Sequence, residues 1–225
     1  AMGDYSFGLP FSNSIIRLGD GNSYDLNGFT VYKDVEHFDG GYALRNYNLE
    51  NCSTGAVNVL LNFGGVIRNL FSGPGDIVWA GNIITGSPDA SRGALMKGGS
   101  GTLVYQGASA FTNFVAVRGG MLVLDYRNNN GRKLASAYGM TNALAVRGAI
   151  EFIGNDAENT SEYVTDIDTT ELSLPANRAS YGPGSITVRT GIGRNFTLQA
   201  QRITQVGTGD GANPLDITLI NNGGG

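Results

Sequence analysis

The single histidine of this 225-residue chain, His37, lies in its densest polar run, Lys33-Asp34-Val35-Glu36-His37-Phe38-Asp39. Carboxylates beside an imidazole are the groups general acid–base chemistry uses. A carbohydrate-active site on stacked windings would draw Asp34, Glu36 and His37 into an outward row, with Asp39 as a further acid and Lys33 or Arg45 as the cation. The competing reading is a strand with a solvated face and a turn at Asp39-Gly40-Gly41. No second segment repeats the cluster, which favours that plainer reading. Asp166, Asp168 and Glu171 alternate and could present three carboxylates to calcium, which takes six to eight oxygens; the same residues also suit a solvated strand and turn. Asp20-Gly21-Asn22 with Asp25-Leu26-Asn27-Gly28 misses the EF-hand spacing.

Arg118, Arg147 and Arg189 each follow a valine before a corner-like step. Aligned along one edge, they could grip an acidic sugar chain bidentately, or they could pair with neighbours such as Asp125 and Glu151. Trp79, Tyr105 and Tyr126 could stack on sugar rings or fill a core. Cys52 reads as a small buried apolar residue. With one histidine and no glycine-elbow serine, no nucleophilic triad can be assembled. The glycine-rich steps open strands rather than helices and lack a following Gly-Lys-Ser/Thr, so they do not cradle phosphate. No motif requires a cofactor.

Repetition indicates the elements that must carry these groups. Residues 73–81 align without a gap on 99–107, 26 residues on, and Val146–Phe152 copies Val117–Val123. Short runs rich in branched or aromatic residues, bounded by Gly, Asn or Pro, predict strands near 29–33, 56–61, 76–80, 102–106, 114–117, 121–125, 144–147, 149–153, 171–174, 185–189, 195–199 and 215–220. Alternation in 185–189, 195–199 and 215–219 marks half-buried strands. Only 132–140 offers a helical turn. Repeats of 19–26 residues signal a solenoid, with corners at Gly75, Gly101, Gly120, Gly148 and Gly184. The predicted fold is all-β: a right-handed parallel β-helix in one stack of nine or ten coils, about 45 Å long at ~4.8 Å per winding. A sandwich with hairpins at Asn27-Gly28 and Asn130-Gly131 is the alternative. Residues 1–50, less repetitive, predict a cap or diverged coils before a repeat region at 51–225.

Glycine, at 35 residues, is about twice its usual ~7% share, whereas charged residues at 15% fall below the usual ~25%. With 41% hydrophobic residues there is enough to fill a core. A net charge of −4 with scattered basic residues argues against nucleic acid. One cysteine excludes an internal disulfide framework. No apolar run approaches the ~20 residues of a membrane span, and no basic-then-apolar signal segment opens the chain. Ala1-Met2-Gly3 and the closing Gly223-Gly224-Gly225 predict a segment of a larger protein.

Met96-Lys97-Gly98-Gly99-Ser100-Gly101-Thr102-Leu103-Val104-Tyr105-Gln106-Gly107-Ala108, continued by Val117-Arg118-Gly119-Gly120-Met121-Leu122-Val123-Leu124-Asp125, resembles the autotransporter-associated β-strand repeat. Gln106 and Phe111 depart from that pattern, where Thr and Tyr are usual. The resemblance implies a parallel β-helix in the exported part of a large bacterial surface protein, hence an extracellular or cell-surface location, and no particular activity. The expected function is a non-enzymatic structural segment, a stiff spacer or self-assembling unit whose partners are its own kind or neighbouring segments. A polysaccharide lyase or hydrolase, or a glycan-binding adhesin, are the alternatives.

Overall fold

A computed structural model describes residues 15–18, 23–37, 44–61, 69–85, 95–110, 115–134, 143–168, 184–204 and 215–223. Polar turn residues cut the chain into short extended runs that cannot pair with their immediate neighbours, so each pairs with its counterpart one winding away. β1 (Ile16–Leu18), β2 (Tyr24–Asp25) and β3 (Thr30–Val31) enter three different sheets. β4 (Val35–His37), β5 (Leu44–Arg45) and β6 (Ser53–Gly55) then lie beside them in the same rotation. β7 (Val59–Leu61), β8 (Asn69–Ser72), β9 (Ile77–Trp79), β10 (Ile83–Thr85), β11 (Leu95–Lys97) and β12 (Thr102–Tyr105) repeat the cycle twice.

β13 (Ser109–Ala110) is the last strand of the first sheet, which holds five. β14 (Val115–Val117) and β15 (Met121–Asp125) continue the second and third sheets. Thereafter the chain alternates between these two through β16 (Ala143–Val146), β17 (Ala149–Ile153), β18 (Thr160–Asp168), β19 (Gly184–Arg189), β20 (Phe196–Thr204) and β21 (Leu215–Ile220). Each of these longer sheets holds eight strands. All pairings among the described strands are parallel, and no helix occurs among the described residues. The architecture is all-β with parallel sheets, consistent with a β-solenoid. The described residues contain none of the antiparallel pairs a sandwich would require.

Register stacks like on like. Ile77, Leu103, Leu122, Ile150 and Ile186 form one buried column. Trp79, Tyr105, Leu124, Phe152 and Val188 form another two residues on. The period of two between inward positions is that of a strand with one face on the core, and packing continues from winding to winding without a break in either column. Beneath Trp79 the column holds Gly55, where an added Cβ would meet the indole Cε3 at 2.6 Å. A side chain is missing there because the largest side chain of the core needs the volume.

The corner glycines stack as well. Gly101, Gly120 and Gly148 immediately precede third-sheet strands, Gly184 begins one, and Gly75 lies two residues before another, all in matching register. A Cβ on Gly101 would collide with the carbonyl oxygen of Gly75, and one on Gly148 would meet that of Gly120 at 2.7 Å. Gly120 additionally holds φ at +63°, a conformation other residues rarely adopt. One alignment needs correcting beyond the corner: Val117 pairs with Val146 as expected, but Met121 pairs with Ala149 rather than Ile150. The corner is one residue shorter in the later winding.

Several strands escaped the sequence reading. Ile83–Thr85 and Leu95–Lys97 are too short to declare themselves, and Thr160–Asp168 carries a polar run of which only the end reads as a strand, whereas Val35–His37 is the strand that the plainer reading of the acidic cluster expects. The expected strand at 171–174 lies outside the described residues. Residues 132–134 of the expected helical turn are not helical, and 135–140 lie outside the described residues. No helix among the described residues is long and apolar enough to cross a membrane.

Candidate functional site

The acid–base candidates sit on or beside β4, and register assigns them separate tasks. Glu36 stands between Arg17 of β1 and Leu60 of β7. It accepts a 3.1 Å hydrogen bond from the Arg17 Nε. Asp34 precedes the strand and accepts from the backbone N–H of Asn58, 24 residues on, at 2.8 Å. His37 takes the position between the buried Leu18 and Leu61. Above Glu36 the outward row turns aliphatic, so no acid or base from the next winding joins the pair. Asp39 lies outside the described residues.

The bond made by Asp34 recurs around the molecule. Asp76 Oδ1 accepts from Thr102 N at 2.7 Å, Asn82 Oδ1 from Ala108 N at 2.9 Å, and Asn159 Oδ1 from Asn195 N at 3.0 Å. In each case a corner Asp or Asn grips the N–H of the residue stacked on it one winding later. These side chains supply acceptors for backbone donors that no strand partner satisfies at a corner. The signal was present in the sequence as Asp or Asn directly before Val35, Ile77, Ile83 and Thr160.

The other candidates are dispersed. Trp79, Tyr105 and Tyr126 are fully buried and fill the core, so of the two readings open to them the sugar-stacking one does not hold. Arg118 and Arg147 follow stacked strands, but Arg189 ends β19 at the far side of the third sheet, where it donates to Glu151 at 2.9 Å. The three guanidinium groups therefore do not line one edge. Asp125 pairs with Arg127 at 2.8 Å and accepts from Gln106 at 3.0 Å. Burial pulls Asp125 upward, yet these hydrogen bonds outweigh it and hold the carboxyl below its ordinary range. Asp166 is buried against Arg202 at 2.6 Å, Asp168 lies opposite Ala145 and Thr204, and Glu171 is outside the described residues. Among the described residues no three His, Cys, Asp or Glu side chains gather as metal ligands. Cys52 is exposed rather than buried, because it sits in the turn before β6.

The concentrated polar chemistry lies inside, where the first sheet stops. Ser109 of β13 donates its N–H to Arg132 O and its hydroxyl to Lys133 O, both at 2.7 Å, so residues 132–133 cover the strand edge. Lys133 is buried, and its Nζ donates to the carbonyls of Gln106 and Gly107 at 2.8 Å and of Asn129 at 3.1 Å. The ammonium also lies 4.8 Å from the Tyr126 ring centroid. Glu162 Oε1 accepts from the Tyr126 hydroxyl at 2.8 Å and from Lys133 N at 2.6 Å. Tyr105 donates to Ala108 O at 2.6 Å and accepts from Ile83 N at 3.2 Å. A second internal lysine, Lys97, stacks between Phe71 and Val117 and donates to the carbonyls of Gly98, Gly99 and Gly119. Sequence reasoning missed both lysines, since an internal ammonium is expected only where several acceptors converge, and that convergence is tertiary.

Burial pushes both ammonium groups down to about 8, against opposing pulls from Asp76 on Lys97 and from Asp125 and Glu162 on Lys133. An unfolded lysine keeps its proton to roughly pH 10.4. Between about pH 8 and 10 the unfolded chain thus binds more protons, and stability rises with pH by up to about 1.4 kcal/mol per unit per lysine. Burial raises Glu162, giving the opposite slope from about pH 4 upward. Urea midpoints at pH 7.5 and 9.5 check the lysine effect: the higher value is expected at 9.5, and a flat or falling profile contradicts it.

The polar side chains described tie one winding to the backbone of the next, and among the described residues none assembles an acid–base row. Comparison of the chain with protein-family models, with curated proteins and with solved structures gives no match.

Proposed function

We propose that this chain is a right-handed parallel β-helix serving as a stiff, non-enzymatic spacer or self-assembling segment of an exported bacterial surface or matrix protein. The observation that carries this reading is the unbroken stacking of aliphatic, aromatic and glycine columns from winding to winding, with polar corner groups bound to the winding above. The likeness of residues 96–125 to the autotransporter-associated repeat supports the surface assignment. In this reading each of the eight strands in a long sheet belongs to one winding, giving about 35–40 Å of rod over the described residues. That compares with nine or ten from an assumed 19–26 residues per turn; late windings run longer, as the 36-residue step from Asp156 to Ile192 shows.

Asp34→Asn separates this reading from a carbohydrate-active one. The amide oxygen can still accept from Asn58 N, so stability should stay within about 0.5 kcal/mol, whereas Asp34→Leu should cost about 1–2 kcal/mol. Small-angle scattering should give a rod of the stated length, and acidic polysaccharides should remain intact. Unsaturated or reducing products that vanish with Asp34→Asn or Glu36→Gln would overturn the proposal.

A further inference from the structure

Past β13, the side of the stack that the first sheet covered is closed without a ladder. The two windings concerned carry β14, β15 and residues 127–134, then β16, β17 and residues 155–162. Backbone pairing joins them through Val115–Val117 with Leu144–Val146 and through Met121–Asp125 with Ala149–Ile153. The last backbone bond of this joint runs from Tyr126 N to Ile153 O. Beyond it no backbone hydrogen bond joins residues 128–134 to residues 156–162. Backbone contact exists on either side of this gap, from Ser109 N to Arg132 O below and between β18 and β20 above. Side chains span the gap instead. Asn130 donates to Asn159 O at 3.0 Å and to Glu158 Oε2 at 3.3 Å, and accepts from the Thr160 hydroxyl at 2.9 Å. Glu162 Oε1 accepts from the N–H groups of Lys133 and Leu134 at 2.6 and 3.4 Å.

We infer that this seam is a built-in opening: residues 128–134 and 156–162 part as a local unit while the second and third sheets stay paired, with Asn130 and Glu162 as the latches. The inference rests on the solenoid reading above and gives the spacer a defined place to yield. The bonds from Asn130 to residues 158 and 159 lie at the surface, where water competes for the same groups. A ladder must lose many bonds together, whereas this contact has few, and each needs one side chain to hold its rotamer. Behind the seam stand polar groups that water would solvate. Glu162 is 1% exposed, and its Oε2 has no hydrogen-bond partner. Such an oxygen is costly while the seam is shut and is satisfied once water enters. Tyr126, which donates to Glu162, and the Lys133 ammonium over its ring are buried beside it. Behind an aliphatic wall the same opening would expose only apolar surface to water, which opposes it.

Amide hydrogen exchange of the whole chain, read residue by residue by NMR and corrected for intrinsic rates, provides the test. The Lys133 and Leu134 amides should exchange at least about tenfold faster than those of Leu122–Leu124 and Ile150–Phe152. Glu162→Leu should speed the first pair by about tenfold more and leave the ladder amides unchanged. Glu162→Gln, whose amide oxygen can still accept both N–H groups, should keep them near their original rates. Should the leucine variant not fold, Asn130→Ala unlatches the seam from its outer side and is read in the same way. Lys133 and Leu134 as protected as the ladder, a substitution that speeds every amide alike, or no response to either unlatching change would each overturn the inference. The seam and the spacer fail apart: a rod-shaped scattering profile with uniform exchange removes only the seam, whereas a profile that is not rod-shaped removes the spacer.

Discussion

Trp79→Ala should cost about 3–5 kcal/mol and lower the melting temperature by roughly 10 °C for a chain this long. The indole is fully buried, packs 5.4 Å from the Phe71 ring at 57°, and occupies the volume left by Gly55 one winding earlier. Truncation opens a cavity spanning several windings, which neighbours tied into parallel ladders cannot collapse to fill. The pair allows a sharper check. Gly55→Ala in the native background should cost about 1–3 kcal/mol because its Cβ strikes the ring. In the Trp79→Ala background the same change should cost almost nothing. Additive effects in such a cycle would show that the two residues do not share the space. An adhesin that used Trp79 would instead lose ligand binding at unchanged stability.

The second large effect belongs to Lys133. Lys133→Ala should cost roughly 3–5 kcal/mol, since three carbonyls lose a charged donor inside the protein and the packed stem disappears. Lys133→Met keeps the stem and removes a buried charge, so about half that loss is expected. Urea unfolding of the two variants measures the difference. Equal losses would mean that stem volume alone matters, and no loss in either would remove Lys133 from its place at the end of the first sheet.

Much of this arrangement could be read from residues alone, where the physics is local. Gly101 and Gly120 appear as corners because a repeated glycine before a branched run needs no partner to be recognised. The ungapped likeness of 73–81 and 99–107 became the register of Ile77 with Leu103 and Trp79 with Tyr105. The side of the strand each aromatic faces was less legible. Trp79 and Tyr105 looked able to meet a ligand, and only the stacking of windings turns them inward. Glu162 and Lys133 were harder still: each looks like a surface residue until Tyr126, Ser109 and the Gln106 and Gly107 carbonyls are brought around them. Asp34 looked chemical for the opposite reason. The charged residues near it in sequence are Lys33 and Glu36, but its partner is an amide one winding away.

Where β13 ends, three short walls give way to two broad ones, and β18 and β20 reach nine residues each. A section of three sheets resists bending about equally in every direction, while one of two broad sheets yields across its thickness and stays rigid in its plane. Beyond Leu134 the molecule should therefore flex like a ruler, giving way in one chosen direction under a sideways pull and standing firm in the other.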